Sequence, residues 1–213
     1  MSEASRCRQC GTCCRKGGPA FHLSDRSLID GGKIPARDLF TIRSGEPAFE
    51  NVQGRLQPAA TDIIKIKGKP DSWECVFLDG ETNRCGIYAH RPVECRALQC
   101  QDPSELKKIY RRERLTRKDL LHQVTDLWAL VTDHQRRCDY ALLLDLAARG
   151  TGRPSDRAAR RQLMEIISFD TQLRRLIAEQ EGMDEGLTDF LFGRPLSQTL
   201  PPLGIPVRQQ EVN

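Results

Sequence analysis

Cys7-Arg8-Gln9-Cys10-Gly11-Thr12-Cys13-Cys14 is the stretch that decides what kind of fold can form here. Thiols that recur every third residue around a glycine can all turn towards one point. A soft, thiophilic metal or an iron–sulfur cluster at that point would hold the loop together. Four more cysteines follow at Cys75, Cys85, Cys95 and Cys100, so eight of the nine lie within the first hundred residues and Cys138 stands apart. Small buried hydrophobes would not repeat at such spacings. A disulfide framework needs an oxidising compartment, and residues 1–6 carry no apolar run of the secretory kind. Nine is also an odd number, which fits complete pairing poorly. The first half of the chain therefore reads as a metal-cluster region.

The rest of the composition bounds the possibilities. With 213 residues, the chain suits one compact domain with a helical extension, or two small domains. A hydrophobic fraction of 38% against 29% charged residues permits a modest core. A net charge of +4 is mildly basic, short of a dedicated nucleic-acid binder. The longest aliphatic run, residues 141–144, is far too short to span a bilayer. The expectation is a soluble protein of the reducing cytoplasm, with no membrane partner.

Ser24-Asp25 marks a helix start and Gly31-Gly32 its stop. Pro35 fits the first turn of a second short helix reaching about Arg43. The alternation in Asp62-Ile63-Ile64-Lys65-Ile66-Lys67 reads as a strand. Cys75-Val76-Phe77-Leu78 and Cys85-Gly86-Ile87-Tyr88, joined by a turn over residues 79–83, read as a hairpin. Pro92 then opens a helix carrying Cys95, Arg96 and Cys100. Beyond Asp102-Pro103 helical periodicity takes over. Leu120, Val124, Leu127 and Val131, flanked by Leu121 and Trp128, make one apolar stripe. It is expected to bury against residues 142–146 and against a helix capped by Ser155 that runs to about Glu179, with Leu163, Ile166, Ile167, Leu173 and Ile177 inward. Four prolines between 195 and 213 suggest an extended tail. The expected class is α+β: a cysteine-rich metal-binding domain over 1–103, a helical region over 104–194, and a tail over 195–213.

Two chemistries compete for the thiolates. Structural zinc takes four ligands, usually from two short knuckles; the first knuckle is present, but the later cysteines are spaced too widely for a second. A four-iron cluster often takes three ligands from a Cys-x-x-Cys-x-x-Cys loop and a fourth from far along the chain. Cys7, Cys10 and Cys13 match that loop, with Cys75, Cys85, Cys95 or Cys100 as the remote ligand. Adjacent side chains usually diverge, so Cys14 is expected to serve a second metal, to stand behind the first ligands, or to belong to a binuclear site. Arg6, Arg8, Arg15, Lys16, Arg84, Arg91 and Arg96 could offset the negative charge of such a centre and raise its reduction potential.

Taken together, Cys7-x-x-Cys10-x-x-Cys13-Cys14, Cys75-Val-Phe-Leu and Cys85-Gly-Ile-Tyr-Ala-His-Arg91-Pro92-Val-Glu-Cys95-Arg96 resemble the CxxCxxCC cysteine-cluster family, whose members are described as zinc- or iron-chelating. The resemblance covers roughly residues 7–100. It implies a metal site built by Cys7, Cys10, Cys13, Cys14, Cys75, Cys85 and Cys95, together with Cys100, and it supplies no reaction.

Among other candidates, His22 and His90 could ligate metal but read more readily as supporting or surface groups. His122 and His134 read as surface or partly buried residues. Cys138 reads as packing against Leu142. The basic stretch Lys107, Lys108, Arg111, Arg112, Arg114, Arg117 and Lys118 could meet nucleic acid or an acidic protein, or could be a solvated helix face. No general acid or base stands out. The leading expectation is an iron–sulfur or zinc protein acting in electron transfer, in metal handling or as an accessory to a partner enzyme, with a protein partner met through the helical region. The alternatives are a zinc-stabilised interaction module and a metal-dependent oxidoreductase.

Overall fold

The computed structural model describes residues 7, 9–99, 102–152, 156–179, 184–205 and 207. Cys100 and Ser155, both singled out above, lie outside the described residues. The class is α+β, with short strands early in the chain and helices after them.

Helix α1 (Arg26–Asp30) begins and ends as expected, its carbonyls closed off by the backbone at Gly31. The second expected helix does not form. A single 3-10 turn over Ala36–Asp38 gives way to strand β1 (Leu39–Ile42). Pro35 starts the turn, but Leu39 and Thr41 alternate into the core, which suits a strand better than a helix. Thr41 also donates its hydroxyl to the Phe190 carbonyl at 2.7 Å. Strands β2 (Pro47–Glu50) and β3 (Arg55–Pro58) form a projecting hairpin, and β4 (Ile63–Ile66) returns antiparallel to β1 with Leu39 opposite Ile66. On its other side β4 takes a bridge from Ala20 to Lys65. Ile64 and Ile66 point into the core, each worth about 1.5–3 kcal/mol when fully buried. Lys65 faces the other way.

The expected strand hairpin at Cys75 and Cys85 is replaced by tight turns. Cys75 O accepts from Leu78 N and Cys85 O accepts from Tyr88 N, so each cysteine starts a turn of its own. One bridge, Leu78 to Cys85, joins the two. Backbone carbonyls turned back on their own chain cannot continue a ladder, and the strands stop there. Helix α2 (Val93–Ala97) follows Pro92 and carries Cys95.

Helix α3 (Ser104–Ile109) leads to α4 (Arg117–Leu121), which starts with a Thr116–Asp119 capping box. The apolar stripe is interrupted after α4, and α5 (Thr125–Arg137) starts afresh, leaving Val124 exposed between them. The stripe does not meet residues 142–146. Leu120, Leu121, Leu127, Trp128 and Val131 pack into a first core cluster with Phe21, Ile34, Leu39, Ile64, Cys75 and Phe190. The reason is the break at Cys138–Asp139. Asp139 caps α6 (Tyr140–Thr151), which turns onto α7 (Arg157–Ala178) to form a second cluster of Leu143, Leu146, Leu163 and Ile167. Asp156 caps α7, accepting from the backbone N–H groups of Ala158 and Ala159. Ile166 packs on the second cluster while Leu173 and Ile177 pack on the first, so α7 spans both.

Helix α8 (Leu187–Phe192) lies against β1. The expected tail is instead partly folded: α9 (Leu196–Thr199) and a 3-10 turn over Pro201–Leu203 bury Leu196, Leu200 and Ile205. Pro195 and Pro201 stand where these turns begin, and there a missing N–H costs nothing. Leu196 and Leu200, one helical turn apart, supply the apolar face.

Candidate metal centre

The cysteine loop is shaped by its backbone. Gly11 adopts φ +72°, and a Cβ there would sit 2.5 Å from the Arg15 guanidinium. Arg15 clamps the loop: it donates to the Cys10 carbonyl at 3.2 Å, pairs with Glu74 at 3.2 Å, and donates to the Asn83 side chain. Further on, a Cβ at Gly18 would meet the Ile66 carbonyl oxygen at 2.3 Å, so only glycine lets the loop lie against β4. Cys14 O then accepts from Cys75 N at 2.8 Å, which ties the first cysteine segment to the second.

These ties place Cys7, Cys10, Cys13, Cys14, Cys75, Cys85 and Cys95 around one cavity of about 260 Å³. Cys10 is exposed and Cys75 buried, so the cavity has an open rim and a closed floor. Cys13 Sγ and Cys14 Sγ lie 3.9 Å apart. The two neighbours do not diverge as expected; their sulfurs approach each other where the 3-10 turn at Cys14–Lys16 begins.

The chemistry of the donors fits a metal. The hydrogen bond with Cys13, burial, and the charges of Cys13, Cys75 and Cys95 all push the Cys14 thiol up. Burial raises Cys75, and Cys85 and Cys13 add to the effect. Cys95 is driven up by burial and by Cys75, Cys13 and Cys85. So many thiolates cannot ionise together without a cation among them, and a bound metal ion supplies that cation and displaces the protons.

Behind the thiols lies a polar brace invisible in the sequence. Glu94, next to Cys95, accepts from Ala20 N at 2.7 Å and from Arg114 at 2.8 Å, and it lies 3.3 Å from His22. Burial alone would raise its carboxyl, but the His22 hydrogen bond and Arg114 hold it below the ordinary value. Buried Asp25 accepts from Val93 N at 2.9 Å and fixes the start of α2. His22 is thus a supporting group, and His90 is exposed and away from the cavity. Lys65 also lines the cavity, next to Ile66, while Ile64 and Ile66 bury their side chains in the core. Burial lowers its ammonium group, against the opposing pull of Glu94. The alternation of residues 62–67 was the one sequence signal that could have found it.

The basic stretch after residue 106 is largely paired within the chain. Lys108 meets Glu105, Arg111 meets Glu50, Arg114 meets Glu94, and buried Arg117 grips Asp62 at 2.7 and 2.9 Å.

Among the described residues, one set of three potential ligand atoms lies mutually within 4.8 Å: those of His134, Cys138 and Asp170. All three are buried, His134 completely rather than at the surface or partly buried as expected, and Cys138 packs near Leu142 as expected. Asp170 already accepts from His134 at 2.8 Å, from Arg174 at 3.0 Å and from Leu196 N at 2.9 Å. Arg43 and Arg174 both bear on His134 electrostatically. A divalent cation here would add charge beside two guanidinium groups and break a saturated carboxylate. The set is a packing network.

Residues 6–118 match the CxxCxxCC family model, described as a "putative zinc- or iron-chelating domain". No curated protein and no solved structure matches the chain.

Proposed function

The chain belongs to the CxxCxxCC family, and from that premise we propose that it is a cytoplasmic protein carrying an iron–sulfur centre and acting in electron transfer, in metal handling or as an accessory to a partner enzyme. One observation carries this reading: seven cysteines border a single cavity of about 260 Å³. Four sulfurs drawn around a single zinc ion would close to edges of about 3.8 Å, given zinc–sulfur bonds of about 2.3 Å. Seven cysteines exceed those four ligands, and a polynuclear centre can draw on more of them. Cys7, Cys10 and Cys13 would hold the centre from the loop, and Cys75, Cys85 and Cys95 from the floor. Such a centre supplies one-electron redox chemistry when bound. The chain's own part is to keep the thiols convergent, to brace Cys95 through Glu94, and to exclude water from the floor. Among the described residues no helix is long and apolar enough to cross a membrane.

A second reading has its own support. The Cys13–Cys14 separation of 3.9 Å is close to the edge of a zinc tetrathiolate tetrahedron. It favours a zinc-stabilised module whose helices bind a partner. Anaerobic purification followed by metal and acid-labile sulfide analysis separates the two. Iron with matching sulfide is expected; zinc without sulfide would replace the first reading by the second.

A further inference from the structure

We infer that Lys65 is the counter-cation of the thiolate centre, the fixed positive charge that sets how easily the centre accepts an electron. The inference rests on the iron–sulfur reading above and deepens it. Strand β4 is held on both sides, by β1 and by the bridge to Ala20. With Ile64 and Ile66 committed to the core, Lys65 is driven onto the cavity face. Its neighbours there include Cys75, Cys95 and Glu94. Among the described residues its ammonium group makes no hydrogen bond or ion pair, because Glu94 is already taken by His22, Arg114 and Ala20 N.

Arg15, Arg91 and Arg96, all close to the cysteines, are engaged elsewhere. Arg15 is bound to Glu74 and Asn83. Arg96 is exposed and turns back to the Arg91 carbonyl and towards Asp25. Arg91 lies 3.9 Å from the centroid of the Tyr88 ring and donates to the Tyr88 carbonyl. Lys16 also lines the cavity but is exposed, where water and salt screen its charge; Lys65 is the partly buried cation on the cavity wall without a bonded partner among the described residues. One electron from an external one-electron donor, such as a reduced viologen dye, adds one negative charge to the centre and changes no bond of Lys65. A fixed ammonium beside a water-poor site favours that more negative state.

The test is a redox titration of the anaerobically purified full chain and of three variants. Lys65→Met and Lys65→Gln should lower the reduced-to-oxidised ratio at a given potential about tenfold, a shift of about 59 mV for a one-electron couple. Iron and sulfide contents should stay at the wild-type level. Lys65→Arg, which keeps the charge, should stay near wild type. If Lys65→Met fails to assemble the centre, Lys65→Gln, which keeps a hydrogen-bond donor, decides alone. A couple that is present and unmoved in Lys65→Gln overturns the inference and leaves the iron–sulfur reading standing. So does a shift in Lys65→Arg as large as that in Lys65→Gln. Zinc without sulfide and without any couple overturns both.

Discussion

At the scale of single residues, His134 shows how burial turns an ordinary side chain into a pH-sensitive one. Burial pushes it down to about 4, and the hydrogen bond to Asp170 only partly opposes this. The unfolded chain therefore binds a proton that the folded chain refuses between about pH 6.5 and about pH 4. Stability is complete above that window and declines as pH falls through it. At about pH 5 the loss should be about 2 kcal/mol. Urea unfolding of the metal-free protein at neutral and mildly acid pH should show it, and His134→Gln should flatten the dependence. An equal decline in both proteins would disprove the assignment. Glu94 and Asp170, both held below their ordinary values, lose their contribution only at lower pH, as they protonate. The cysteines divide in the same residue-by-residue way. Cys75→Ser should reduce bound metal, whereas Cys138→Ser, set in the second cluster, should keep the metal and lose about 1–3 kcal/mol to a buried hydroxyl. Metal analysis of the two purified variants checks this, and equal metal loss would refute it. The thiol spacing was legible in sequence because ligands cluster locally. Glu94, His134 and Asp170 were not, because, apart from Arg174 one helical turn from Asp170, their partners lie 20 to 74 residues away.

At the scale of elements, legibility followed how local each cause was. Helix α1 was readable from Ser24-Asp25 and a glycine stop, and strand β4 from a period-two alternation. The segment after Pro35 was misread because its proline favours a helical turn while Leu39 and Thr41 answer to the core formed by β4 and α8. The pairing partners of α5 were misread for a similar reason, since periodicity gives a face but not what covers it. Arg117 joins several elements at once, gripping Asp62, the Leu191 carbonyl at 2.7 Å and Gln135 at 2.9 Å. Arg117→Met would leave Asp62 and that carbonyl without their partner in a buried setting. The expected loss is about 3–5 kcal/mol. In a double-mutant cycle with Asp62→Asn, the paired variant should lose less than the sum of the singles. Strict additivity in urea denaturation would show that the pair does not couple β4 to the helices.

At the scale of the whole molecule, the first cluster joins Cys75, Cys85 and Cys14 to Trp128, Val131, Phe190 and Leu191 in one packed body. Metal and helices should therefore melt together. In a Trp73→Phe background, which removes the exposed indole, chelation should lower the midpoints of Trp128 fluorescence and of helical circular dichroism alike. A helical signal whose midpoint ignores the chelator would show that the helices stand on a core of their own. The gradient from exposed Cys10 to buried Cys75 has a further consequence, for exchange kinetics. An incoming chelator meets the rim first, so its attack order is fixed by the fold rather than by the strength of each bond. With a metal held as proposed, rim thiols would exchange while the floor retained its grip, and the slow phase of release would be expected to belong to Cys75 and Cys95. Residence time and ease of entry can thus be altered separately, the first by substitutions in the floor and the second by substitutions in the loop.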